Sequence, residues 1–370
     1  MRIKKLFILN IIFFTFSSLA LSWSFGHKGL LSLWGMSGFQ KSSKPQLGLR
    51  YIPEFSLSVH LSESTFLDTE FSAHAFGTGL FKEIDKVQTD GDIKPYRLWL
   101  RFSSAQFEAR IGLQKINFGS AALLRPLMWF DRLDPRDPLQ ITDGVYALLF
   151  RYYFVNNTNI WLWGLYGNEK NKGWEAIPSQ KGSVEYGGRL QIPLFTGELA
   201  VTYHHRQIEI GKPSPENRYA LDGKWDIGIG IWFEGTLTHQ ENEWLLLPWQ
   251  RAISTGLDYT FDLGNGLYVL GEHFNLSRTQ KALSPGDDIN FSAFLVRYPL
   301  GLLDEITGIF YYDWENKELY RFLSWQRTYD RWRINLIGFW NPEDFQIYPP
   351  ASGNNPFVGT GIQVTIIFNY

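Results

Sequence analysis

Cysteine is absent from the 370-residue chain, which excludes a disulfide framework, zinc–thiolate centres and a Cys nucleophile. A basic excess is missing as well. The 35 basic and 37 acidic side chains give a formal net charge of −2, so the electrostatic footprint of a nucleic-acid binder is lacking. Past the first two dozen residues no apolar run is long enough to span a bilayer as a helix. There is no Gly-x-Ser-x-Gly elbow, no His-Glu-x-x-His pair and no phosphate-binding Gly-x-x-x-x-Gly-Lys-Ser/Thr loop, and hydrolase, zincin and P-loop chemistry therefore have no support. The seven histidines are scattered. His204 and His205 are adjacent in an alternating segment, so they point to opposite faces and do not chelate one ion. No catalytic residue, metal or cofactor is expected. Aromatics, by contrast, are plentiful: 15 Trp, 18 Tyr and 29 Phe make up 17% of the chain, against 19% charged residues.

The N-terminus has the layout of a secretory signal peptide. Arg2, Lys4 and Lys5 precede an apolar stretch from Leu6 to Phe16, and small residues follow from Ser17 to Ser22. Cleavage fits after Ala20 or after Ser22, and the boundary is set at 22. Residues 1–22 are thus expected to be a leader, and 23–370 a single domain with no composition shift or linker inside it.

That domain alternates in polarity with a period of two, which only strands produce. Ile362, Val364, Ile366, Phe368 and Tyr370 share one face, and Gln363, Thr365 and Asn369 the other. Leu199, Val201 and Tyr203 oppose Glu198, Thr202, His204 and Arg206 in the same way, and Trp332, Ile334 and Leu336 oppose Arg333 and Asn335. A soluble sandwich and a transmembrane barrel share this periodicity but invert its address, because lipid takes the apolar face of a barrel.

Three features favour the barrel. Aromatics sit at strand ends, as in Trp161/Trp163, Tyr259/Phe261 and Tyr312/Trp314, where an interfacial girdle needs them. The last segment ends Phe368-Asn369-Tyr370 and is similar to the closing strand of Gram-negative outer-membrane barrels; that similarity implies engagement by the barrel-assembly machinery. Connections also alternate. Those at 61–65, 104–105, 155–157, 193–195, 263–265 and 329–330 are tight, and those at 78–94, 116–144, 168–182, 278–288 and 341–359 are long, as in an up-and-down barrel with short turns at one end. The expected fold is all-β: one transmembrane antiparallel up-and-down barrel of about 18 strands, with roughly 16 as the fallback because Pro53 interrupts an early segment.

A barrel of that size encloses a channel. Face assignment directs Arg97, Arg101, Arg110, Arg151, Arg189, Arg206, Arg297 and Arg333 inward, together with Glu108, Glu185, Glu198, Glu234, Asp258 and Glu305. The arginines either attract anionic or hydroxylated solutes or brace the wall by pairing. An apolar inward ladder, which a carrier of hydrophobic substrates would need, is not evident.

The 116–144 connection is too long and too apolar for an idle surface loop. It carries Leu123, Leu124, Arg125, Trp129, Phe130, Asp131, Arg132, Asp134, Arg136 and Asp137. Folded inward it would place Arg125, Arg132 and Arg136 beside Asp131, Asp134 and Asp137 as a charged constriction; folded outward it would be a lid on neighbouring loops. Interleaved arginines and prolines make the three aspartates a poor calcium cage.

The stretch Arg110-Ile-Gly-Leu-Gln-Lys-Ile-Asn-Phe-Gly119, with Trp129 to Pro138 and Asp143-Gly144, resembles Gram-negative porins of the alginate-export kind and their relatives, as does Leu49-Arg50-Tyr51-Ile52-Pro53-Glu54. Leu113 stands between Gly112 and Gln114 where those relatives carry Arg. The resemblance implies a monomeric outer-membrane barrel. The expected function is passive diffusion of small hydrophilic, in particular anionic, solutes, with outer-membrane lipid as the surrounding partner and no nucleic acid. A secreted soluble all-β carbohydrate-binding protein and a plugged barrel acting as adhesin or scaffold are the alternatives.

Overall fold

The computed structural model describes residues 22–40, 43–83, 86–242, 245–343 and 357–370. The first six strands are β1 (Ser22–Gly38), β2 (Gln46–Ser62), β3 (Thr65–Glu83), β4 (Lys86–Ser103), β5 (Phe107–Gln114) and β6 (Val145–Tyr153). Then come β7 (Asn159–Tyr166), β8 (Val184–Leu194), β9 (Gly197–Ile210), β10 (Lys212–Asp226), β11 (Gly230–Gln240) and β12 (Trp249–Phe261). The last six are β13 (Leu267–Thr279), β14 (Asp287–Pro299), β15 (Asp304–Asp313), β16 (Glu318–Thr328), β17 (Trp332–Trp340) and β18 (Thr360–Asn369). Each strand pairs antiparallel with the next, and β18 returns to β1 from Leu30↔Asn369 to Gly38↔Gly361. The result is a closed 18-stranded up-and-down barrel, with no helix among the described residues.

The alternation of the sequence becomes an inside and an outside. On β18, Ile362, Val364 and Ile366 are exposed while Gln363, Thr365 and Ile367 are buried. Leu98, Leu100 and Phe102 on β4, and Leu148 and Phe150 on β6, are exposed likewise. A continuous exposed apolar belt is the reverse of a soluble sandwich and calls for lipid against it. At the tight-turn rim the belt ends in aromatics, with Trp332 packed on Phe368 at 4.6 Å and the Tyr51 and Tyr370 hydroxyls 2.8 Å apart. The seam is tied there by Tyr370 N to Gly29 O and Gly29 N to Tyr370 O, each 3.1 Å. The Tyr370 ring lies where a side chain on Gly29 would stand.

Eighteen strands form rather than 16 because the backbone adjusts around the early prolines. The β2–β3 ladder lapses opposite Ile52 and Pro53, and the β3–β4 register shifts at Ser72/Ala73, beside Pro95. That is how a sheet accommodates a residue without an N–H. One long connection is corrected. Residues 78–94 are not a loop: β3 and β4 continue as a hairpin as far as Glu83↔Lys86. β9 and β10 likewise extend to Ile210 and Lys212 around Gly211. Gly79 and the Asp90-Gly91-Asp92 run read as loop because side-chain alternation vanishes there, yet backbone pairing outside a lipid belt needs no apolar face. The leader expected over 1–22 lies outside the described residues except for Ser22, the first residue of β1. Most of the 341–359 connection also lies outside them.

Leu190 on β8 is exposed on the outer face, and its neighbour Gln191 points inward to Glu198. Leu190→Arg is expected to lower the unfolding free energy in lipid vesicles by about 2–4 kcal/mol. Gln191→Arg should stay within about 0.5 kcal/mol. Urea titration of the refolded variants measures both.

Candidate functional site

The 115–144 segment between β5 and β6 lies inside the barrel. Leu123, Leu124, Leu127, Met128, Trp129 and Phe130 are all buried. One side of the loop packs Leu123, Leu124 and Met128 against Trp232, Leu270, Phe291 and Tyr311 of the wall. Its other side packs Phe118, Trp129 and Phe130 against Val145, Leu149 and Trp163, with Phe118 stacked on Trp163 at 5.6 Å.

Two wall carboxylates hold its backbone. Glu234 on β11 accepts from Ala121 N at 2.7 Å and Leu127 N at 3.1 Å. Glu272 on β13 accepts from Ala122 N, Leu123 N and Leu124 N at 2.6, 2.9 and 2.6 Å, and from Trp232 Nε1 at 3.0 Å. Gly119 has φ +99, and a side chain there would occupy the place of the Glu234 carboxylate. Successive N–H groups converging on an anion form a backbone nest; here the anion belongs to the protein.

Arg125 and Arg136 pair with aspartates of the expected set, whereas Arg132 and Asp137 find partners outside it. Arg125 bonds Asp131 (3.3 Å), Asn117 (3.0 Å) and Phe118 O (3.2 Å), all in a buried setting. Burial pushes the Asp131 carboxyl up against the pull of Arg125. Arg136 grips Asp134 with two hydrogen bonds, 2.8 and 2.7 Å. Arg132 turns instead to the Gly173 carbonyl, at 3.1 and 2.9 Å. Asp137 reaches across to Arg50 on β2 at 3.0 Å. Trp129, Arg125, Asp131 and Arg136 are buried, so these four face protein rather than water.

Several arginines expected to line water are covered as well. The 167–183 segment also bends inward, bringing Lys172 and Glu175 onto β8–β10. Arg206 pairs with Glu216 and, at 3.2 Å, with Glu175. Arg218 meets Glu175 at 3.0 Å and Glu216 at 2.7 Å. Lys172 reaches Glu185 at 2.9 Å, and Arg189 holds Asp222 at 2.6 and 2.8 Å. His204 sits between Trp163 and Glu185. Arg206 is 1% exposed. Arg97 is buried too and donates to Thr142 O. Glu185, Arg189, Arg206 and Arg97 are therefore braces under the loops. Sequence reading missed Lys172, Glu175, Glu216, Arg218 and Asp222; the inward alternation Ser214-Glu216-Arg218-Ala220-Asp222 is the signal that could have shown the last three.

The remaining inward charges are open to water in part. Arg101 on β4, 32% exposed, is held by Asp68 at 2.8 Å and lies 3.9 Å from Glu108. Arg110 on β5 and Arg151 on β6 approach Glu108 at 3.0 and 3.5 Å. They do so without hydrogen-bond geometry, because their planes lie over Trp99 (4.7 Å) and Trp161 (3.9 Å). Arg297 is 3.5 Å from Glu305. Arg333 has no ion pair among the described residues. The open lining is thus concentrated on β4–β6, with Arg297 and Arg333 as outliers.

The inward face of β13–β17 corrects another expectation. It is an apolar ladder, including Leu270, Phe274, Leu295, Ile309, Phe322 and Phe339. These strands carry apolar side chains on both faces, since lipid lies outside and the loop inside, so their period-two contrast is weak. The loop covers the ladder, which leaves no free hydrophobic track there. Arg206→Met, which takes from the buried Glu175 and Glu216 one of the two arginines they share, should cost about 3–5 kcal/mol of stability. Arg297→Met, at a half-exposed pair, should cost no more than about 1 kcal/mol. Denaturant titration compares the two.

Among the described residues no group of three or more His, Asp or Glu side chains is arranged to hold a metal ion. A scan against protein-family models finds no match, and a search of curated proteins finds none. Solved barrels do match in fold. OccAB1 of Acinetobacter baumannii aligns with TM-score 0.57 at 9% identity, covering 93% of this chain and 95% of that one. OmpT, an outer membrane protein of Vibrio cholerae in trimer form, aligns with TM-score 0.54 at 10% identity over 94% and 100% of the two chains. OmpF of Salmonella typhi, in complex with daunomycin, aligns with TM-score 0.51 at 11% identity over 94% and 97%. The chain has the fold of these outer-membrane barrels over almost its whole length.

Proposed function

We propose that this protein is a bacterial outer-membrane channel through which small hydrophilic solutes diffuse passively, anionic ones preferentially. The observation that carries the reading is the charged, partly water-open stretch of inner wall on β4–β6 within a closed barrel whose outside is apolar. Similarity of fold to outer-membrane barrels supports the location. The exposed apolar belt speaks against a secreted carbohydrate-binding protein. Tight turns face the periplasm and long connections the outside, and β18 is the segment that the assembly machinery engages.

In this reading the 115–144 loop narrows the lumen, and Arg101, Arg110 and Arg151 set its field. Three guanidinium groups stand there against Glu108 and Asp68, within one screening length of each other in physiological salt. Indole rings hold the Arg110 and Arg151 planes in place, which lowers the ordering entropy lost when an oxyanion is met.

Single-channel recording of the refolded protein in a planar bilayer tests this directly. Discrete current steps are expected, with a reversal potential of anionic sign under a salt gradient. Replacing Arg101, Arg110 and Arg151 together by Gln should lower the anion-to-cation permeability ratio by roughly two- to fivefold. Cation preference in the unaltered protein would remove the anionic part of the reading. A folded barrel that never conducts would sink the channel and favour a plugged scaffold.

A further inference from the structure

The five N–H groups donated to Glu234 and Glu272 come from one short stretch, residues 121–127. Among the described residues no cation forms an ion pair with either carboxylate. Arg125 is the nearest basic group on the loop and is committed to Asp131 and Asn117. On β10, Asp222 is committed to Arg189, and Lys224 lies over the Trp232 ring at 5.5 Å. On β13 the Tyr268 hydroxyl is bonded to Asp258 at 2.8 Å. Farther along the loop, Phe130 packs edge-on against His204 at 5.0 Å, and His204 is tied to Glu185.

An ionised carboxylate is acceptor-only and suits a set of converging donors. Protonated, it presents an O–H to those same donors, and a buried donor left without an acceptor is costly. Burying an unpaired negative charge is costly too, so such a group takes up a proton readily as the pH falls. The apolar contacts of Leu123 and Leu124 with the wall lack this directionality. Beyond Leu124 the loop has other ties: Trp174 donates from Nε1 to Arg125 O at 2.7 Å and from N to Met128 O at 3.2 Å, and Asp137 to Arg50 and Arg132 to Gly173 O tether it farther on.

We propose that Glu234 and Glu272 are the positioning residues of the 115–144 loop, that they hold it against β11–β13 while ionised, and that acid frees residues 121–124 to swing into the open lumen and narrow it. The proposal rests on the channel reading for its functional consequence, but its structural half stands apart from it.

Two measurements on the full-length refolded protein test it, each from about pH 8 to about pH 4, the range over which a buried carboxylate titrates. In planar bilayers the open-channel current of the unaltered protein should fall severalfold with acid. Glu272→Gln and Glu234→Gln, where they fold, should show the lower current at neutral pH and a flattened pH profile. In hydrogen exchange of the unaltered protein, corrected for intrinsic rates, the amides of Ala121 to Leu124 should be protected at neutral pH and lose that protection in acid. Protection that persists throughout overturns the proposal. So does an acid response that survives unchanged in both Gln variants, which would report another group such as His204 or Asp131. A folded barrel silent at every pH would defeat the channel reading, while the exchange result would still decide whether the carboxylates hold the loop.

Discussion

Inside a bilayer no water is available to a backbone N–H or C=O, so a sheet that crosses it must leave no unpaired edge. The pairing of β18 with β1 meets that demand, and the rest of the structure depends on it. Once the sheet is closed, every strand has one face toward lipid and one toward the lumen. A period of two in the sequence then becomes an assignment of environment. The same closure explains why Pro53 is tolerated: the β2–β3 ladder lapses there and resumes in the same register, so one missing ladder bond does not open the ring.

Closure also creates a problem of volume. An 18-stranded ring is too wide for wall side chains alone to fill, and here the 115–144 and 167–183 segments enter it. They divide the inner surface in two. Beneath them lie an apolar ladder on β13–β17 and an ionic lattice on β8–β10 in which Arg189, Arg206 and Arg218 each have carboxylate partners. The part they leave partly open carries Arg101 bonded to Asp68 and, beside it, Arg110 and Arg151 loosely paired with Glu108 and lying over Trp99 and Trp161. Charges of the same type thus differ according to cover: a fully buried guanidinium needs a full complement of partners, whereas one that keeps some contact with water needs fewer.

Strand positions were legible in the sequence because lipid on one side and polar groups on the other enforce alternation. The number of strands followed from it. Alternation weakens in two places, and both were misjudged. Beyond the lipid belt, at 78–94, neither face needs to be apolar, and the hairpin looked like a loop. On β13–β17 both faces are apolar, and the inner ladder was hidden. The site was less legible than the fold. Which arginines are covered depends on where a loop lands, and that is set by contacts between residues over a hundred positions apart, such as Ala121 with Glu234. The face of Glu234 could be read from its neighbours Ile231 and Phe233; its role as an acceptor for loop amides could not.

The central claim, that inward loops split the inner wall into a covered and a water-open part, is best tested by thiol labelling in lipid vesicles, since a chain without cysteine makes each introduced thiol unique. Thr307→Cys on β15 and Gln191→Cys on β8 point inward on open wall, Ala252→Cys and Ala293→Cys lie beneath the loop, and Leu148→Cys faces lipid. A charged, membrane-impermeant reagent presented to both sides should modify positions 307 and 191 and spare 252, 293 and 148. Modification of 252 and 293 as fast as 307 would show the lumen open across its whole width and would contradict the account.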